Sequence, residues 1–136
     1  MIEVKNVYFA YPNGVEALKG VSITIRNGDF VAIMGQNGAG KTTLVKHFNG
    51  LLKPTKGEVL VDEVSTRDIS VANLARKVGF VFQNPDHQLF CETVEDEVAF
   101  ALKNFGYKTN IVDRRVGWAL NLLGLTQYRK TSPFML

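Results

Sequence analysis

Residues 34–44 read MGQNGAGKTTL, which puts three glycines, one lysine and two threonines directly after an apolar run. Gly35, Gly38, Gly40, Lys41 and Thr42 satisfy the spacing G-x-x-x-x-G-K-[ST], with Gln36, Asn37 and Ala39 completing the loop. Glycines at these positions let the backbone wrap around a phosphate chain with its N–H groups turned inward. The N-terminus of a following helix adds partial positive charge. Lys41 supplies a mobile cation for outer phosphates, Thr42 offers a hydroxyl to Mg²⁺, and Thr43 can donate to an inner phosphate. The competing reading is a glycine-rich turn that only joins a strand to a helix. The two separate on context, because a phosphate loop needs a buried strand before it and an amphipathic helix behind it.

The pattern along the chain supplies both. IEVKNVYF reads as a strand, followed by a predicted strand at 21–25, a turn at Asn27-Gly28 and a predicted buried strand at 30–34. Leu44, Val45 and Phe48 recur at helical spacing over 41–48, and Asn49-Gly50 ends that helix. GEVLVD predicts another strand, ISVANLARKV a short helix entered through Ser70, and VGFVF a buried strand at 78–82. Thr93 with Asp96 three residues on forms a capping-box-like start to a helix whose stripe is Val94, Val98, Leu102 and Phe105, ending at Gly106. Asn110 opens a last predicted helix with Val112, Val116, Ala119, Leu120 and Leu123 inside, ending at Gly124. Cys91, Trp118 and the Phe100–Phe105 region read as packing residues, and His47, on the helix behind the loop, as structural.

Composition narrows the class. At 136 residues with 46% hydrophobic and 21% charged residues, the chain suits one globular domain. Its 16 basic and 13 acidic residues are interspersed, so the net charge of +3 forms no arm for nucleic acid. One cysteine excludes an internal disulfide, and no run approaches the roughly 18 apolar residues of a spanning helix. With no signal-peptide pattern at MIEVKNVYFAYP, a cytoplasmic location is expected.

A phosphate loop does not choose among kinases, GTPases and transport ATPases, but its surroundings do. The stretch IEVKNVYFAYPNGVEALKGVSITIRNGDFVAIMGQNGAGKTTLVKHFNGLLKPTKGEVLVD resembles the nucleotide-binding domain of ABC transporters along its whole length. Tyr11 reads either as a strand-end tyrosine packed on the core or as a stacking platform for a base, and the resemblance implies adenine stacking. Gln83, after the predicted strand VGFVF, reads as a polar strand cap or as an amide reaching Mg²⁺ or a water near the terminal phosphate. The resemblance implies the second, with Gln83 linking the nucleotide site to a membrane partner. NPDHQLFCETVEDEVAFAL is similar to the ATPases of energy-coupling factor transporters, which drive vitamin, cobalt or nickel uptake. On that likeness Asp86, His87, Gln88, Leu89 and Phe90 face a transmembrane coupling subunit, although Leu89 and Phe90 serve equally well to anchor the loop to its own domain.

The resemblance implies an α/β P-loop NTPase of the ABC ATPase type. It would have an N-terminal antiparallel β region (1–34), a P-loop core with a partial parallel sheet (35–82), and a glutamine loop with the start of a helical subdomain (83–136). ATP and Mg²⁺ are the implied cofactors. A second ABC ATPase domain, identical or paralogous, and a membrane subunit are the implied partners, at the cytoplasmic face of the membrane. LLGLTQYRKTSPFML looks like the approach to the Leu-Ser-Gly-Gly-Gln signature, with Leu136 its first residue. The signature, the Mg²⁺-binding aspartate strand, the general-base glutamate and the switch histidine are then expected to lie outside these residues. Glu63 stands where the family usually has glycine. The 136 residues alone are expected to hydrolyse ATP weakly or not at all, and to expose apolar faces. Two rival readings are another ABC importer or non-transport ABC protein, and a nucleotide-binding module that works without hydrolysis.

Overall fold

A computed structural model describes all residues from Met1 to Leu136. They form two compact units, Met1–Phe80 and Val81–Leu136, each described by itself.

The first unit is built on an antiparallel sheet of four strands in the order β2-β1-β3-β4, comprising β1 (Ile2–Ala10), β2 (Glu16–Ile25), β3 (Lys56–Val61) and β4 (Val64–Ser65). β1 is central because its alternation places Val4, Val7 and Phe9 on one buried face. Val4 and Val7 have odd spacing, yet both point inward. The register slips between them at Asn6, whose φ of 48° marks a bulge. β2 starts at Glu16, earlier than the predicted strand, because the tight Tyr11–Val15 turn returns the chain at once (Tyr11 N to Val15 O, 2.9 Å). Helix α1 (Lys41–Phe48) lays Leu44 and Phe48 on the sheet among Val4, Val7, Phe9, Leu18 and Val59. The short helix α2 (Val71–Leu74) is capped by Ser70, as its sequence implies.

The expected parallel core sheet is not formed. Residues 30–34 and 78–82 carry no ladder, and the whole sheet is antiparallel. Both runs are apolar, but a strand exists only beside a partner strand, and neither segment joins the ladder. Phe30 is fully exposed, and Met34 and Val81 largely so. Such exposed apolar side chains should drive self-association. In sedimentation at rising concentration, the weight-average mass is expected to climb above 15.1 kDa, and serine at Phe30 and Met34 should reduce the effect. A strictly monomeric chain would contradict this expectation.

β4 was not anticipated. Asp62 and Glu63 join it to β3 with φ of 48° and 66°, a tight turn made without the glycine usual at such angles.

His47 is structural, as expected. It is fully buried, its Nδ1 lies 2.7 Å from the Thr43 carbonyl, and the ring of Phe9 meets it edge-on at 4.9 Å. Its Nε2 is buried with no partner. Burial holds the imidazole below its ordinary value, outweighing the opposite pull of the Thr43 and Lys53 backbone contacts. The unfolded chain therefore takes up a proton near pH 6.5 that the folded chain resists. Stability contributed by neutral His47 is complete above that pH and lost as pH falls through it, at a limiting slope of about 1.4 kcal/mol per pH unit. Denaturant midpoints between pH 7.5 and 5.5 should show this slope, and His47→Leu should flatten it.

The second unit packs helix α3 (Val94–Asn104) against α4 (Thr109–Leu122) through Val94, Ala99, Val112, Val116 and Leu120. Thr93 caps α3 as predicted, its Oγ1 accepting from Asp96 N and donating to the Asp96 carboxylate. Gly106 and Gly124 follow the two helices at φ of 78° and 67°. α4 begins at Thr109 behind Lys108 rather than at Asn110, and without a side-chain cap. Leu123 and Trp118, expected inside, are about two-thirds exposed, Leu123 standing at the C-cap of α4. The N–H groups of Val94 and Glu95 donate to the carbonyls of Thr131 and Arg129, and the Glu95 carboxylate pairs with the Arg129 and Lys130 side chains. These cations, Arg129 foremost, hold the Glu95 carboxyl below its usual range.

Candidate nucleotide-phosphate site

The loop between residue 34 and α1 is organised by two left-handed glycines, Gly38 (φ 83°) and Gly40 (φ 84°). Ala39 N donates to Gln36 O at 3.2 Å, closing a turn between them. Gly40 is the N-cap of α1 and has no side chain to cap it, so the first-turn N–H groups have no side-chain acceptor. No acidic residue lies in that turn to compete for them. Lys41 Nζ folds back on the loop and donates to Gly35 O and Gln36 O, both at 2.8 Å. A cation held only by neutral carbonyls beside uncapped helix amides is chemistry suited to an anion.

α1 sorts the two threonines. Thr42 is exposed, whereas Thr43 is 6% exposed. Thr43 Oγ1 lies 2.9 Å from the hydroxyl of Tyr11, and the Tyr11 ring meets Phe9 edge-on at 5.0 Å. Tyr11 is half-buried at the edge of the core, so the strand-end tyrosine stands beside the phosphate loop. The sequence reading placed Tyr11 and Thr43 at one ligand but missed the bond between them. Their 32-residue separation leaves no periodic signal.

The residues fit a nucleotide that brings its own Mg²⁺. No group of three or more His, Cys, Asp or Glu is placed to hold a metal. The Asp62 carboxylate is engaged by Lys77 at 3.1 Å. Mg²⁺ commonly binds through substrate phosphates with few protein ligands, and the Thr42 hydroxyl is the one this loop offers.

Gln83 is exposed and belongs to the other unit, as does the segment behind it. There Asn84 Oδ1 accepts from Asp86 N at 3.1 Å, its amide lies 3.2 Å from His87 Nε2, and Pro85–Gln88 form a 3-10 turn. Gln88 turns inward, its amide oxygen accepting from Phe82 N at 3.1 Å. Leu89 is half-buried. Phe90 packs edge-on against Phe100 at 4.6 Å while remaining 59% exposed, so it both anchors the loop and shows an aromatic surface. Glu97, overlooked in the sequence, accepts from the N–H groups of Phe90 and Cys91 at 3.0 and 2.8 Å and fixes where the loop joins α3.

Comparison with known proteins places the chain among ATP-binding proteins of ABC transporters. The energy-coupling factor transporter ATP-binding protein EcfA of Methanocaldococcus jannaschii is 42% identical over 135 residues, which are 98% of this chain and 48% of that protein. The cbiO1 structure from Clostridium perfringens, described as part of the ABC transporter complex cbiONQ, superposes with a TM-score of 0.85 at 36% identity. It covers 99% of this chain and 55% of that one. A dimeric ATP-binding cassette in a post-hydrolysis state with ADP and Pi gives 0.83 at 32% identity, covering 100% of this chain and 63% of that one. The chain spans about half the length of the curated relatives it matches. No helix is long and apolar enough to cross a membrane. With the profile of the ABC transporter family matching residues 18–135, and an α/β fold shared with ABC ATPase cassettes, the chain belongs to the ABC transporter family as a stretch of its ATP-binding domain.

Proposed function

We propose that the chain is the N-terminal portion of an ABC ATPase domain. It binds Mg²⁺-ATP on behalf of a full-length subunit that powers an energy-coupling factor importer of a vitamin or metal ion. The observation that carries this reading is the phosphate cradle, with Lys41 on the Gly35 and Gln36 carbonyls beside the uncapped start of α1. In it Lys41 neutralises the outer phosphates, the loop 35–40 wraps them, Thr42 meets Mg²⁺, Thr43 an inner phosphate, and the Tyr11 ring carries adenine. Gln83 is assigned to Mg²⁺ or the water near the terminal phosphate. Mg²⁺ would supply charge neutralisation across the phosphates.

The name of the EcfA relative and the description of cbiO1 within cbiONQ support a membrane coupling partner, met by Asp86–Phe90 at the cytoplasmic face. The dimeric cassette supports pairing with a second ATPase domain. Calorimetry with Mg²⁺-ATP tests the reading on the chain itself. Saturable binding is expected, together with little or no sustained phosphate release, because positioning and charge neutralisation supply most of phosphoryl-transfer catalysis. Absence of binding would remove the reading from this chain, and sustained turnover lost in Lys41→Ala would overturn the expected inactivity.

A further inference from the structure

The site as read so far uses the Tyr11 ring and the Thr43 hydroxyl as separate contacts, one for a base and one for a phosphate. The structure joins them by a hydroxyl-to-hydroxyl bond of 2.9 Å. Thr43 is also held from behind, where His47 lies 2.7 Å from its carbonyl. Phe9 meets both Tyr11 and His47 edge-on, at 5.0 and 4.9 Å, so the three rings pack in series.

A hydroxyl has one proton and two lone pairs. Thr43 can give its proton to a ligand only while it accepts, rather than donates, in the bond to Tyr11. The phenol is the stronger acid of the two and the better donor. A threonine in a helix also divides between two side-chain rotamers, because its oxygen can turn back to a carbonyl of the preceding turn. The Tyr11 contact selects one of them.

We propose that Tyr11 is a positioning residue for the inner phosphate of the bound nucleotide: its hydroxyl donates to Thr43 Oγ1 and aims the Thr43 proton at that phosphate. The chain Tyr11 O–H to Thr43 O–H to phosphate is polarised along its length, each bond strengthening the next. Base and phosphate recognition are thereby linked through protein atoms as well as through the ligand. This inference rests on the nucleotide reading above.

The test is a substitution cycle on the 136-residue chain, read as Mg²⁺-ATP affinity by calorimetry. Tyr11→Phe keeps the ring and removes only the hydroxyl, and it is expected to weaken binding about three- to tenfold. Thr43→Val should weaken it further, and adding Tyr11→Phe to Thr43→Val should cost nothing more. In Thr43→Ser, which restores a hydroxyl, the Tyr11→Phe loss should return. A merely structural tyrosine would lose the same affinity in the valine and serine backgrounds. A second readout needs no ligand: in Tyr11→Phe, the Thr43 methyl carbon shift should move towards rotamer averaging. Unchanged or tighter ATP binding in Tyr11→Phe, or equal losses in the valine and serine backgrounds, would overturn the proposal. The underlying reading fails differently, by Lys41→Ala leaving ATP affinity intact.

Discussion

Lys41→Ala should weaken Mg²⁺-ATP binding by about 10- to 150-fold while leaving thermal stability nearly unchanged. The first half follows from the ammonium's task. A hydrogen bond to a charged group contributes about 1.5–3 kcal/mol, and at 1.4 kcal/mol per decade that is the stated range in Kd. The second half follows from what Lys41 does without a ligand. It donates to two loop carbonyls at 2.8 Å in a solvent-exposed setting. Water replaces such contacts at little cost, so less than about 1 kcal/mol of folding stability is at stake. Calorimetry and a melting curve on the same preparation separate the two effects. Undiminished affinity would mean that the loop is the connecting turn first weighed against it, and the phosphate reading would fall. A large drop in melting temperature would mean that the lysine holds the loop together and is not free to serve a ligand.

The parts of the fold legible in the sequence are those whose determinants are local. Helix α1 ends where Asn49-Gly50 says it should, and α3 begins where Thr93 and Asp96 cap each other. The phosphate loop was legible because its glycines are demanded by backbone angles at Gly38 and Gly40, a requirement carried by residue type alone. Strand identity at 30–34 and 78–82 was not, because an apolar run reports the capacity to pair while the ladder depends on another strand being present. Trp118 and Leu123 misled for a related reason. Apolar character at helical spacing shows that a face can be buried, not that something covers it. Within the site, residue types gave the roles proposed for Lys41, Thr42 and Thr43. The Tyr11 to Thr43 bond depends on a turn, a sheet and a helix meeting, and no window of sequence contains all three.

Gly40→Ala should destabilise the first unit by about 2–4 kcal/mol and abolish Mg²⁺-ATP binding, whereas Gly38→Ala should cost only about 1–2 kcal/mol. The two glycines have almost the same backbone, φ 84° and 83°, so the left-handed strain of an added Cβ is common to both. They differ in surroundings. A Cβ on Gly38 meets nothing within 4 Å, but on Gly40 it would lie 2.5 Å from the Ala17 carbonyl oxygen and 3.2 Å from Leu18 Cδ2. Ala17 sits in β2 between Glu16 and Leu18, which pair with Ala10 and Phe9 of β1, and Leu18 is in the core. Neither can retreat without disturbing the sheet, so the start of α1 must move instead. That movement shifts the uncapped amides on which an anion would rest and breaks the alignment of Lys41 with the loop carbonyls. For a unit of this size each kcal/mol lowers the melting temperature by about 4–8 °C, so the two variants should separate clearly in a thermal scan. Equal losses in both would show that backbone angle alone sets the glycine requirement. The expected inequality would show that the phosphate loop is held in place by close contact between the helix start and the sheet, making the antiparallel half of the fold the support on which nucleotide binding depends.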